Sequence, residues 1–234
     1  MSSYAFEGGQ MWNTYQEMEN QFIDYLDYVP LTGDHSKVYS GKLLRLMLQL
    51  GGYIDTAFKE IACCNMFDNN PDCLAIREKV EKNKLIPFNV YLKTFEPIYE
   101  ISKRPVIVKS QGHFTYQPLL IERFAPFNAE SGGITPSWWR AYNGVKHNML
   151  KNVKEANVEN TLKALAAAFL LNAIFEPSLV SLVKEEIAEI LDDGSCPAKS
   201  IGKEQAEEVI TKKKPKKNVL IRVDSKLFIC MVKP

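Results

Sequence analysis

The sequence predicts a mainly α-helical bundle with a small β-hairpin insertion and a C-terminal β-hairpin tail. Three observations lead there. Apolar residues recur at helical intervals through most of the first 191 residues. That period breaks between Pro105 and Phe127, where "PVIVKS" and "HFTYQPLLI" flank Gln111 and Gly112. Beyond Gly194 the composition turns basic, and "NVLIRV" and "KLFICMV" have the β-branched and aromatic content of strands. The domain division that follows is a helical domain over 1–193, with an extended or β insertion at about 105–127, and a basic linker with a β-forming tail over 194–234.

Each element has its own signal. Met11, Tyr15, Met18, Phe22, Tyr25 and Leu26 define a first amphipathic helix over 11–28, which ends before Pro30. After the polar turn "TGDHSKVY", Ser40 is placed to cap a second helix over about 41–61, with Leu43, Leu44, Met47, Leu50, Ile54, Phe58 and Ile61 on its stripe. Gly51 and Gly52 either weaken the middle of that helix or admit a close neighbour. Pro71 opens a third helix running to about Lys82, and a fourth spans Asn89 to about Phe95, before Pro97. "NAESGGITP" reads as a loop, after which Thr135 and Pro136 supply a cap and a first turn for a helix to about Val153. Two more helices are expected, from Asn157 to Phe175 and from Ser178 to Asp192, with Gly194 as the stop.

Composition narrows the function classes. The formal charge of +1 gives no global field toward nucleic acid or membrane, so any basic surface is local, as in "KKKPKK" at 212–217. Five cysteines in irregular places, with three histidines and no CxxC pairing, indicate a reducing compartment, buried thiols and no zinc site. The N-terminus lacks the pattern of a signal peptide. The longest apolar run, Ala164 to Phe175, is shorter than the roughly 20 residues of a spanning helix and contains Asn172, so it reads as a buried helix. A cytoplasmic protein with no membrane association and no cofactor or metal is the expectation.

The segment "PSWWRAYNGVKHNMLKN" carries the chemistry. On a helix, Arg140 and His147 lie two turns apart in nearly the same direction, with Asn143 and Gly144 between them. The stripe is polar and free of bulky groups, with Gly144 as a groove floor or a point of close approach. Trp138, Trp139, Tyr142, Val145 and Met149 point elsewhere and anchor the helix in the core. A guanidinium grips phosphate through paired hydrogen bonds, and an imidazole exchanges protons near neutral pH. RNA brings its own nucleophile, the 2′-hydroxyl, so a proton-transfer group and a cation suffice without metal.

These residues resemble a known family. An arginine followed after a short spacer by a histidine on a late helix of a bundle is the signature of HEPN domains, and "RAYNGVKH" has a spacer of six residues. "WWRAYNGVKH" is similar to the version in bacterial HEPN-like proteins, and "VYSGKLLRLMLQLGGYIDTAFK" resembles their earlier helix. The resemblance covers residues 11–191 and implies a HEPN-like bundle. It implies a metal-independent endoribonuclease acting as a toxin or antiviral effector, with a homodimer forming a composite site. Carried over, Arg140 stabilises the phosphate, His147 is acid or base, and Asn143 orients the strand or the imidazole. Lys146 and Lys151 are candidates for RNA backbone contacts. An antitoxin or a nucleotidyltransferase is the implied protein partner.

Ala141 departs from the family pattern, which places a polar residue directly after the arginine. It favours the alternative of a non-catalytic module for dimerisation, RNA binding or partner docking. A third reading, a structural protein whose tail hairpin joins another chain's sheet, would be supported by Arg140 and His147 being engaged in internal hydrogen bonds.

Overall fold

A computed structural model of the chain describes residues 8–109, 120–129, 133, 135–192, 210 and 219–232. The protein is mainly helical with a small antiparallel sheet of five strands. Its centre is α7 (Val158–Ile174), in which every residue but Glu159 is buried. Asn157 caps it, its side chain accepting a hydrogen bond from Asn160 N. A helix apolar all round must be covered on every side. The helices α1 (Gly8–Leu26), α2 (Gly41–Cys63), α5 (Ser137–His147) and α8 (Glu176–Lys184) and the last strand surround it.

The stripe residues predicted for α1 and α2 fill the core, with Met11 and Leu44 at its margin. Ser40 caps α2 by accepting from Leu43 N at 3.2 Å. In α3 (Pro71–Glu81), Pro71 follows the N-cap Asn70, whose side chain accepts from Asp72 N and Cys73 N. The helix α4 (Phe88–Tyr99) runs past its expected end and contains Pro97. Pro97 sits in the last turn on the exposed side of the helix and removes the N–H that Lys93 O would ordinarily accept from, a carbonyl that belongs to an exposed residue. The buried Tyr99, its hydroxyl donating to Glu176 at 2.7 Å, holds the turn before Glu100 takes a left-handed conformation at φ 49°.

The sheet order is β2-β1-β5-β4-β3, for β1 (Val106–Val108), β2 (Arg123–Phe124), β3 (Ala188–Asp192), β4 (Val219–Asp224) and β5 (Phe228–Val232). The two tail strands form the expected hairpin, but Asp224 is still paired, opposite Ile229, so the turn is Ser225 to Leu227 and not Asp224 and Ser225. Each then pairs onward within the chain, β5 with β1 and β4 with β3, so the sheet crosses the division drawn at residue 193. The insertion pairs β1 with β2, which lies beyond "HFTYQPLLI"; most of that stretch is outside the described residues.

The expected helix from Ser178 to Asp192 is corrected. It stops at Lys184, Glu186 turns the chain at φ 62°, and Ala188 to Asp192 form a strand. Ala188 and Ile190 are buried while Glu189 is exposed, a two-residue alternation that β4 selects by pairing. Cys73 and Cys230 are buried, and burial pushes their thiols up to about 11 and about 12. Gly194, Cys196, His113 and the 212–217 lysine run lie outside the described residues. Among the described residues no single helix is long and apolar enough to cross a membrane; α7 and α8 together have the length but meet at 84°.

Candidate functional site

The inner face of α5 is Trp138, Trp139, Ala141, Tyr142 and Val145, all buried. Trp138 donates its indole N–H to Pro126 O at 2.7 Å, and Trp139 stacks on Phe88 with ring centroids 3.9 Å apart. Tyr142 lies directly against α2: a Cβ built on Gly51 would meet the Tyr142 ring at 2.2 Å. Gly51 is therefore the residue that admits a close neighbour, while Gly52 faces open space. Aromatic packing of the tryptophans and the close approach of Tyr142 to the α2 backbone, both on the inner face, fix the rotation of α5.

The outer face is the predicted stripe. Arg140, Lys146 and His147 are exposed, and Asn143 and Gly144 are half-buried. Among the described residues, the side chains of Arg140, Asn143 and His147 make no hydrogen bond or ion pair with protein. Lys146 Nζ stands 5.5 Å from the Tyr142 ring centroid, and Lys151 and Lys154 are exposed on the segment that follows. None of these four cations, Arg140 included, pairs with a carboxylate among the described residues. The internal hydrogen bonds that would support the third reading are not found among the described residues.

Three expectations about this segment are corrected. The helix has no side-chain cap: Pro136 is the N-cap, and its carbonyl accepts from Trp139 N and Arg140 N. The helix ends at His147, not at Val153. At Asn148 the backbone departs to φ −148°, ψ 81°, and a short helix α6 (Met149–Asn152) begins, with Asn148 Oδ1 accepting from Lys151 N at 3.2 Å. Met149 consequently turns outward, 47% exposed, rather than anchoring the helix.

The break also changes the floor of the stripe. Asn152 folds back and donates to Gly144 O at 2.7 Å and to Asn148 O at 3.1 Å, satisfying carbonyls at the end of α5. Its Cγ lies 3.5 Å from the position of a Cβ on Gly144, so the floor is packed by a second amide and is not open. Sequence reasoning missed Asn148 and Asn152. The signal available was Asn148 itself, a capping residue type directly after the Lys-His pair that suits a helix C-terminus.

Neither of two concavities on the molecule is lined by Arg140, Asn143 or His147. One, of about 610 Å³, lies between α1 and α2 against Gln10, Thr14, Glu17, Gln49, Tyr53 and Glu60. The other, of about 240 Å³, adjoins the start of α5 at Asn128, Pro136, Ser137, Trp138 and Lys163. Among the described residues no three of His, Cys, Asp and Glu are grouped around one metal position. Comparison of the chain with protein-family models, curated proteins and solved structures finds no match in any of the three.

Proposed function

We propose that this chain is a HEPN-type, metal-independent endoribonuclease, with Arg140 and His147 as its catalytic pair. The observation that supports this most is the two-sidedness of α5. Its inner face is locked by Trp138, Trp139 and Tyr142, while Arg140 and His147 are exposed on the other side with no partner among the described residues. A rigid helix presenting an unpartnered guanidinium and imidazole suits a ligand that brings negative charge and exchanges a proton.

In the proposed reaction the 2′-oxygen attacks the adjoining phosphorus as its proton is taken up. The P–O5′ bond breaks, the 5′-oxygen receives a proton, and a 2′,3′-cyclic phosphate and a 5′-hydroxyl result. Arg140 stabilises the charge on the non-bridging oxygens. His147 takes the 2′ proton or supplies the 5′ one. Asn143 orients the strand, and Lys146 and Lys151 hold neighbouring phosphates.

One imidazole does not serve both proton transfers at once. Seven residues of helix also separate Arg140 from His147 by about 10 Å along the axis. Both considerations favour a homodimer in which a second copy of the stripe closes the site. A toxin or antiviral role, regulated by an antitoxin or nucleotidyltransferase partner, is the setting that fits such an activity.

The test is incubation of the purified protein with labelled RNA. His147→Ala and Arg140→Ala should each lower cleavage by about 10²-fold or more. Both variants should keep their stability to within about 0.5 kcal/mol, as exposed positions do, and EDTA should leave the rate unchanged. Cleavage that survives both substitutions removes the assignment. The second reading, a non-catalytic RNA-binding or docking module, rests on Ala141, which is buried against the core here. It predicts RNA retention without product.

A further inference from the structure

The proposed cleavage stripe adjoins an exposed apolar pair that the core does not use. Leu150 is 91% exposed and Met149 is 47% exposed. Met149 begins α6 two residues beyond His147. A leucine this open forgoes the burial that ordinarily stabilises it, yet the helix presenting it is held in shape. Asn148 caps α6 by accepting from Lys151 N, and Asn152 ties the end of the helix back to Gly144 O. The apolar pair is thus displayed in a defined place beside the stripe.

Charge identifies the occupant. Between residues 140 and 155 the side chains include Arg140, Lys146, Lys151 and Lys154 and a single acid, Glu155. The four cations have no carboxylate partner among the described residues. Leu150 and Lys151 are neighbours in α6, so a ligand that matches offers negative charge beside a flat or apolar face. A strand of RNA with an unpaired base does so, its phosphates meeting the cations and its base packing on Leu150. In a duplex the base faces are stacked on one another and closed to such contact.

We infer that Leu150, backed by Met149, seats an unpaired nucleobase next to the phosphate held at Arg140 and His147, and so fixes where on a strand the protein acts. The inference rests on the nuclease reading for the identity of the phosphate site. Leu150 is a positioning residue in this scheme, since it touches the base and not the reacting atoms.

The experiment measures binding to full-length His147→Ala protein, which does not consume its ligand, by fluorescence anisotropy. The probes are a labelled single-stranded oligoribonucleotide, the same strand annealed to its complement, and the strand with one abasic position. Leu150→Ser should weaken single-strand binding about tenfold and duplex binding little, and Leu150→Phe should restore the single-strand preference. The abasic position should reproduce the loss in the parent and cost nothing further in Leu150→Ser. The salt dependence should be unchanged by Leu150→Ser and reduced by Lys151→Gln.

Equal losses on single strand and duplex, or none on either, overturn the inference, even where the wild-type protein cuts RNA and the nuclease reading stands. Leu150-dependent binding to single strands with no cleavage by wild-type protein leaves the seat in place and removes the nuclease reading. Tighter binding of an acidic peptide such as oligoglutamate than of RNA, lost in Leu150→Ser, overturns the inference in favour of a protein-docking surface.

Discussion

Two glycines on facing helices show how one residue type serves opposite physical ends. A methyl group at Gly51 would stand 2.2 Å from the Tyr142 ring, a contact that forces α5 away from α2. At Gly144 the same methyl group would meet Asn152 at 3.5 Å, which is ordinary packing. Gly51→Ala should therefore destabilise the protein by about 1–3 kcal/mol, as overpacking does. It should also lower cleavage, because it displaces the helix that carries Arg140 and His147. Gly144→Ala should stabilise by up to about 1 kcal/mol through helix propensity. Urea unfolding midpoints moving in opposite directions would bear this out, and a loss at Gly144 would show that the backbone there needs glycine. The sequence offered close approach as one of two readings at each position, beside a weakened helix at Gly51 and a groove floor at Gly144. Only the three-dimensional neighbours separate them, because spacing along the chain does not say which helix lies across.

At the scale of elements, a buried carboxylate ties the first helix to the last hairpin. Glu19 is 1% exposed, and its Oε1 accepts from Tyr15 OH at 2.8 Å, Ser225 Oγ at 2.5 Å and Leu227 N at 2.9 Å. Its Oε2 accepts from Lys226 N at 3.3 Å. A side chain near one end of the sequence thus caps the β4–β5 turn near the other. Glu19→Ala would leave several buried donors without an acceptor and should cost at least about 2 kcal/mol. Hydrogen exchange at Leu227 and Phe228 should accelerate more than exchange in α7; uniform acceleration would mean that Glu19 acts on the whole fold. Residues 12, 15, 19 and 22 share one helical face, so a carboxylate among aromatics was visible, but its partners on the hairpin, more than 200 positions away, were not. The same limit explains β3. Ile187, Ile190 and Leu191 fit a helical period as well as a strand, and pairing with β4 decided between them. The α5 stripe was legible because it is local, whereas the fold-back of Asn152 depends on a chain reversal that periodicity does not encode.

For the whole molecule, α7 makes the helices and the sheet one body. Phe169 packs on Phe228 with centroids 5.6 Å apart, and Trp12 and Tyr15 lie on the same phenylalanine. The apolar run predicted this central helix directly, since a helix without a polar face is buried wherever it lies. The frame holds α5 by its inner face and leaves the other face available, which is the geometry the nuclease proposal requires. That proposal commits to one bond-breaking chemistry, and the most direct test reads the ends of the products. Wild-type protein should leave 2′,3′-cyclic phosphate and 5′-hydroxyl termini on a labelled RNA, and His147→Ala, folded as the wild type, should leave the RNA whole. Products ending in 3′-hydroxyl and 5′-phosphate, or intact RNA with the wild-type protein at every concentration at which it dimerises, would contradict it.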